Sequence, residues 1–248
     1  MFEGSGVMFS LKEKFQFLED GVDIPFYNDN PKLSAADWLI VLAGIILMIA
    51  LIMGLPVPEQ YFDLSICLVV LIPALYICKG NYGLFFKIPK ARDVLTAIKC
   101  AILYFLYSWT IIVILYLAKY NLAGNGAIGA QGFNLIAAVS LMIHLMGEEL
   151  FKILMLLLLM YVIYKLTNNR SLSIGLGLFI TMVTFGLCHY YAYDGRILQI
   201  LLIPGFGSIF ALYCYLKTKN VFVSYLVHII TDLLPFIVMG LNLVPTVT

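Results

Sequence analysis

The amino-acid sequence predicts an all-α fold, a polytopic membrane helical bundle of about seven or eight transmembrane helices, and three observations carry this. Of 248 residues, 62% are hydrophobic and only 12% charged, with a mean hydropathy of +0.99, far outside the range of soluble globular domains. The apolar residues gather into runs near or above the roughly 20 residues that a bilayer requires of a helix. The basic residues fall in alternate loops, the asymmetry expected of membrane topology.

Residues 1–37 carry mixed charges before any apolar run, so no cleavable signal peptide is expected and the segment reads as a short cytoplasmic lead-in. Its Ser34-Ala35-Ala36-Asp37 stretch is a helix-capping pattern. Spans follow at about 38–55, 62–78, 94–118, 132–166, 172–191, 197–216 and 221–241, all within one transmembrane domain over 38–248. The fourth, about 35 residues, would reach roughly 50 Å as one helix, so it must tilt, protrude or break near Gly147. A break would make an eighth element. Lys12, Lys14, Lys32, Lys79, Lys87, Lys90, Arg92, Lys165, Arg170, Lys217 and Lys219 fall on one side, and Lys119 and Arg196 on the other. The positive-inside rule then places the N-terminus in the cytoplasm and the C-terminus outside.

Composition also excludes partners. A net charge of +1 with basic residues scattered singly offers no stripe that could track phosphates, so nucleic acid is not a partner. Membrane lipid is. The five cysteines, Cys67, Cys78, Cys100, Cys188 and Cys214, are odd in number and lack CxxC spacing, so they read as small buried hydrophobes.

The chemistry gathers where the polarity is most costly. Glu148, Glu149 and Lys152 lie inside the fourth run, where each charge costs roughly 2.5–3.5 kcal/mol on insertion scales. His144, Glu148 and Lys152 recur at i, i+4 and share one helix stripe, while Glu149 points about 100° away. All three histidines, His144, His189 and His228, lie within or at the end of apolar runs, as do the carboxylates Glu148, Glu149 and Asp232. His228 and Asp232 are again i, i+4. His189 closes the run Thr184-Phe185-Gly186-Leu187-Cys188-His189, in which Gly186 and Cys188 are small enough to admit a neighbouring helix. A carboxylate with imidazoles in a dry pocket suits water activation. The glutamate takes the proton, while His189, His228 and Asp232 hold a divalent metal such as zinc or polarise a carbonyl. Plainer readings compete: interhelical hydrogen bonds for single histidines (His144 above all), a Glu148–Lys152 ion pair, proton or ion transport, and an interfacial belt for Tyr190, Tyr191 and Tyr193.

Glu148-Glu149, then Phe185-x-x-x-His189, then His228-x-x-x-Asp232, on separate apolar helices in this order, resemble the motifs of the CPBP intramembrane proteases, a family that includes the CAAX prenyl endopeptidases and the bacterial Abi proteins. The resemblance covers about residues 130–240. It implies an intramembrane endopeptidase of a prokaryotic cell membrane, cleaving a membrane-associated peptide or lipidated protein. It nominates Glu148 as the base and Glu149, His189, His228 and Asp232 as its partners, with Lys152, Phe185 and His144 supporting. The alternative is a non-proteolytic accessory or immunity protein of the same fold, serving bacteriocin self-immunity or lipoprotein modification. The family pattern Glu-Glu-x-x-x-Arg meets Ile153 at the arginine, with Lys152 one position early. Keeping both glutamates loses the arginine; aligning Lys152 with it puts Gly147 at the base. The first register is preferred, because Lys152 reaches a glutamate within one turn. Counted from the basic side, Glu148 and His189 lie roughly 25 Å deep but His228 only about 10 Å. The last helix is therefore expected to start deep, or the spans to tilt.

Overall fold

The computed structural model describes residues 16–18, 21–124 and 134–240. Lys12 and Lys14, the start of the fourth run and residue 241 lie outside them. Seven helical elements follow: α1 (Ala35–Ile52), α2 (Phe62–Ile77), α3 (Ala91–Leu117), α4 (Leu135–Thr167), α5 (Arg170–Cys188), α6 (Ile197–Thr218) and α7 (Val221–Gly240), with no strand among the described residues. The first six, α2 together with the 3-10 turn Glu59–Tyr61 that precedes it, are long and apolar enough to cross a membrane, and α7 holds a shorter apolar stretch, Val221–Ile237. Leu39, Ile46, Ile72, Ile102, Leu106 and Trp109 are exposed on the outer faces. Such a surface belongs in hydrocarbon rather than water, and the chain is an integral membrane protein.

The local chemistry explains the starts and contacts. Ser34 caps α1 by accepting from the Asp37 amide at 3.2 Å, while the Asp37 carboxylate accepts from the Ser34 amide at 2.7 Å, satisfying two otherwise orphaned donors. Helix α4 is central, packing against α1, α2, α5 and α7. It passes unbroken through Gly147, so its length is taken up without an eighth element. Gly147 is where α2 crosses: a Cβ there would lie 2.8 Å from the Ile66 carbonyl oxygen and 2.9 Å from the Cys67 amide nitrogen. Gly186 serves α5 and α6 in the same way, its absent Cβ standing 2.7 Å from the Ile200 carbonyl oxygen. Within α6, Leu201–Phe206 winds as a wider π-helical stretch around Pro204, whose ring nitrogen has no hydrogen to donate.

The depth mismatch comes from a step in the bundle. From Ser224, beside Glu149, α7 has only three residues left to its start, about 5 Å, whereas α4 runs on about 27 Å from Glu149 to Thr167. The α6–α7 turn is thus sunk beside α4: Lys219 and Asn220 are buried, the Val221 amide donates to the Phe85 carbonyl at 2.9 Å, and Asn220 Nδ2 donates to the Lys87 carbonyl at 2.9 Å. The N-terminal segment fills the step. Ile24, Phe26 and Tyr27 are buried there, with Arg170–Asp23 at 2.6 Å, Lys165–Asp29 at 3.0 Å and Lys79–Asp37 at 2.8 Å tying the segment and α1 to the loops. Most of the described basic residues counted on one side therefore meet at one end. At the other, Gln199 exchanges two hydrogen bonds with the Ala123 backbone, at 3.0 and 2.9 Å.

Candidate active site

Adjacent on α4, Glu148 and Glu149 enter different surroundings because successive helical residues diverge by about 100°. Glu148 faces three imidazoles. Its Oε1 lies 3.2 Å from His144 Nε2, one turn back, and 3.8 Å from His189 Nε2; its Oε2 lies 3.4 Å from His228 Nε2. Of the nominated set, His189 from the end of α5 and His228 from α7 meet this carboxylate of α4, and Asp232 stands beside His228. Position 147 faces α2 and has no room for a side chain, so Glu148, not that position, meets the histidines.

Glu149 is fully buried and belongs to a different cluster. Its Oε2 stands 2.7 Å from Lys152 Nζ and 3.2 Å from His228 Nδ1, and its Oε1 accepts from the Ser224 hydroxyl. Lys152, 1% exposed, therefore pairs with Glu149 rather than with Glu148, and its ammonium lies 4.6 Å from the centre of the Phe185 ring, a cation–π contact. A charge pair removed from water is tolerated only when each member keeps its partner. Ile153, at the family's arginine position, is buried in the apolar core.

The hydrogen-bond partners assign the histidine tautomers. His189 follows the last residue of α5, and its Nδ1 meets the Phe185 carbonyl at 2.9 Å. A carbonyl only accepts, so Nδ1 carries the hydrogen and Nε2 presents a lone pair to Glu148. His228 differs. Its Nε2 faces only carboxylate oxygens, those of Glu148 and of Asp232, 3.7 Å away, and a carboxylate only accepts, so Nε2 carries a hydrogen, while Nδ1 lies between Glu149 Oε2 at 3.2 Å and Lys152 Nζ at 3.4 Å. Asp232 is itself held by the Thr231 hydroxyl at 2.9 Å. A small cavity of about 50 Å³ opens here, lined by Lys152, Phe185, His189, Tyr193, His228 and Asp232 and closed from α3 by Tyr104.

His228 and Asp232 lie side by side, but the nominated metal set of His189, His228 and Asp232 does not assemble: among the described residues, no three His, Cys, Asp or Glu side chains are disposed to hold a metal ion. The donors present do not fit a structural or catalytic zinc set.

Sequence reasoning missed a carboxylate. Asp63, in the first turn of α2, places Oδ1 2.8 Å from His144 Nδ1, and its Oδ2 accepts from Ser140 Oγ at 2.5 Å. Its place at the start of an apolar run made it look like a boundary charge. Ser224, a neutral residue in a hydrophobic helix, gave no signal at all.

Compared with known proteins, residues 130–234 match the family model of the type II CAAX prenyl endopeptidases, Rce1-like, in agreement with the motif resemblance. No curated protein matches the chain, and no solved structure does.

Proposed function

We propose, from the premise that residues 130–234 match a family of CAAX-type intramembrane proteases, that this chain is an intramembrane endopeptidase in which Glu148 activates water against a membrane-associated peptide or lipidated protein. The observation that carries the proposal is the facing pair Glu148 Oε1 and His189 Nε2, 3.8 Å apart. Both are acceptors. A water giving one hydrogen to each would bridge them, with its oxygen turned toward the cleft. Glu148 takes the proton as the water oxygen bonds to the scissile carbonyl carbon, and the displaced π electrons pass to the carbonyl oxygen. The Nε2–H of His228 is the donor placed for that oxyanion, with the Lys152 charge behind its ring. The proton on Glu148 then goes to the leaving amine as the carbon–nitrogen bond breaks. The ring of Phe185, edge-on to His189 at 4.7 Å, excludes water from one side.

No step is routed through a metal, since the donor set above does not fit one. The basic end is assigned to the cytoplasm, so the N-terminal segment covers the cytoplasmic side of the step beside the site. The test is purified protein in liposomes, given a panel of membrane peptides that includes a farnesylated CAAX peptide, with and without chelator. Cleavage that persists in chelator supports the proposal. Peptide binding without cleavage points to the accessory or immunity alternative, which the lysine in place of a guanidinium favours.

A further inference from the structure

The imidazole behind the proposed base has carboxylates on both sides. His144 places Nδ1 2.8 Å from Asp63 Oδ1 and Nε2 3.2 Å from Glu148 Oε1. An ionised carboxylate only accepts, so each ring nitrogen needs a hydrogen, and a neutral imidazole has just one. With a carboxylate oxygen at each of its two nitrogens, His144 carries two hydrogens. The assembly around it is built for this. Asp63 is oriented by the Ser140 hydroxyl, two strands of chain meet through Asp63 on α2 and His144 on α4, and the Phe62 ring lies over the imidazole at 6.0 Å.

We infer that Asp63 and His144 form a positioning arm for Glu148: an imidazolium, held by Asp63, fixes the rotamer of the base inside the bundle. The inference rests on Glu148 being the base. His144 is faced by Asp63 from α2 and Glu148 from its own helix; Glu148 is faced by His144, by His189 and Cys188 at the end of α5, and by His228 from α7. The hydrogen bond from Nε2 holds one carboxylate oxygen and leaves the other 3.4 Å from His228 Nε2. Asp63 is partly exposed, with 34% of its side chain accessible, so the arm connects the buried base to the rim of the bundle.

The chain has only three histidines, which makes the charge state readable without a substrate. Nitrogen-15 NMR of histidine-labelled protein in detergent micelles at neutral pH should show a doubly protonated ring that belongs to His144. The charged signal should vanish in His144→Gln and turn neutral in Asp63→Asn. In parallel, cleavage of a farnesylated CAAX peptide by Asp63→Asn should lose about 10–100-fold in kcat at unchanged KM. Should His144→Gln fail to fold, Asp63→Asn and Ser140→Ala carry both measurements. Three neutral rings in the wild type, or an unchanged kcat in Asp63→Asn, would overturn the arm. A wild-type turnover in Glu148→Gln would instead remove the base, a distinct failure that the NMR arm registers separately.

Discussion

Glu148 and Glu149 differ by one position and are predicted to fail in different ways. Glu148→Gln keeps the size and hydrogen bonds but cannot take a proton, so turnover should fall about 10²–10⁴-fold with the melting temperature in detergent little changed. Glu149→Gln or Lys152→Met each strips the partner from a buried charge, and should cost about 3–5 kcal/mol of stability, read as lost thermal or denaturant resistance. His189→Ala and His228→Ala should each abolish cleavage, and the double variant should be no worse than the more impaired single one, since members of one catalytic unit are not additive. At this scale an ionisable residue at helical depth stands out in the sequence by its cost in lipid, and the structure brings Glu148, His189 and His228 together with Asp232 beside His228. Asp63 escaped because a residue in a first helical turn looks solvated until α4 is packed against it. The partner of Lys152 escaped because i, i+3 and i, i+4 are equally reachable by spacing, and only the buried Ser224 and His228 around Glu149 decide between them.

Among the helices, glycines are what let the site close. A Cβ at Gly147 would meet the α2 backbone at under 3 Å, so Gly147→Ala should push α2 from α4, cost about 1–3 kcal/mol, and weaken activity by displacing Asp63 from His144. Gly175→Ala, on α5 with nothing within 4 Å of the added carbon, should be neutral or stabilising by up to about 1 kcal/mol. Comparing the two melting temperatures separates close packing from helix propensity. Element positions were readable to within a few residues because long apolar runs with caps and glycines punctuate themselves. The end of α5 at Cys188 rather than 191 was not, since the chain turns there through Asp194 and Gly195, both at positive φ. Nor was the π stretch around Pro204, which depends on packing against α5.

For the molecule as a whole, the step beside α4 is the feature that hydropathy could not show, because the segment filling it is polar in sequence and buried only in context. Burial of Asp23 opposes its ionisation, but hydrogen bonds from Arg170 and Tyr27 outweigh this and hold its carboxyl below the ordinary value. A depressed folded-state value gives stability that is present above the unfolded carboxylate range, near 4, and is lost as pH falls below it. Protease protection of the N-terminal segment should therefore be flat from neutral pH to about 5 and fall in more acid buffer, and Asp23→Asn should remove that dependence. The central claim, that the bundle holds a glutamate which activates water for peptide cleavage, is tested most directly by mass spectrometry of a farnesylated CAAX peptide incubated with the reconstituted protein in ¹⁸O-labelled water. The account predicts a cleaved peptide whose new carboxyl carries one ¹⁸O, formed by the wild type and not by Glu148→Gln; equal labelling by the two proteins would contradict it.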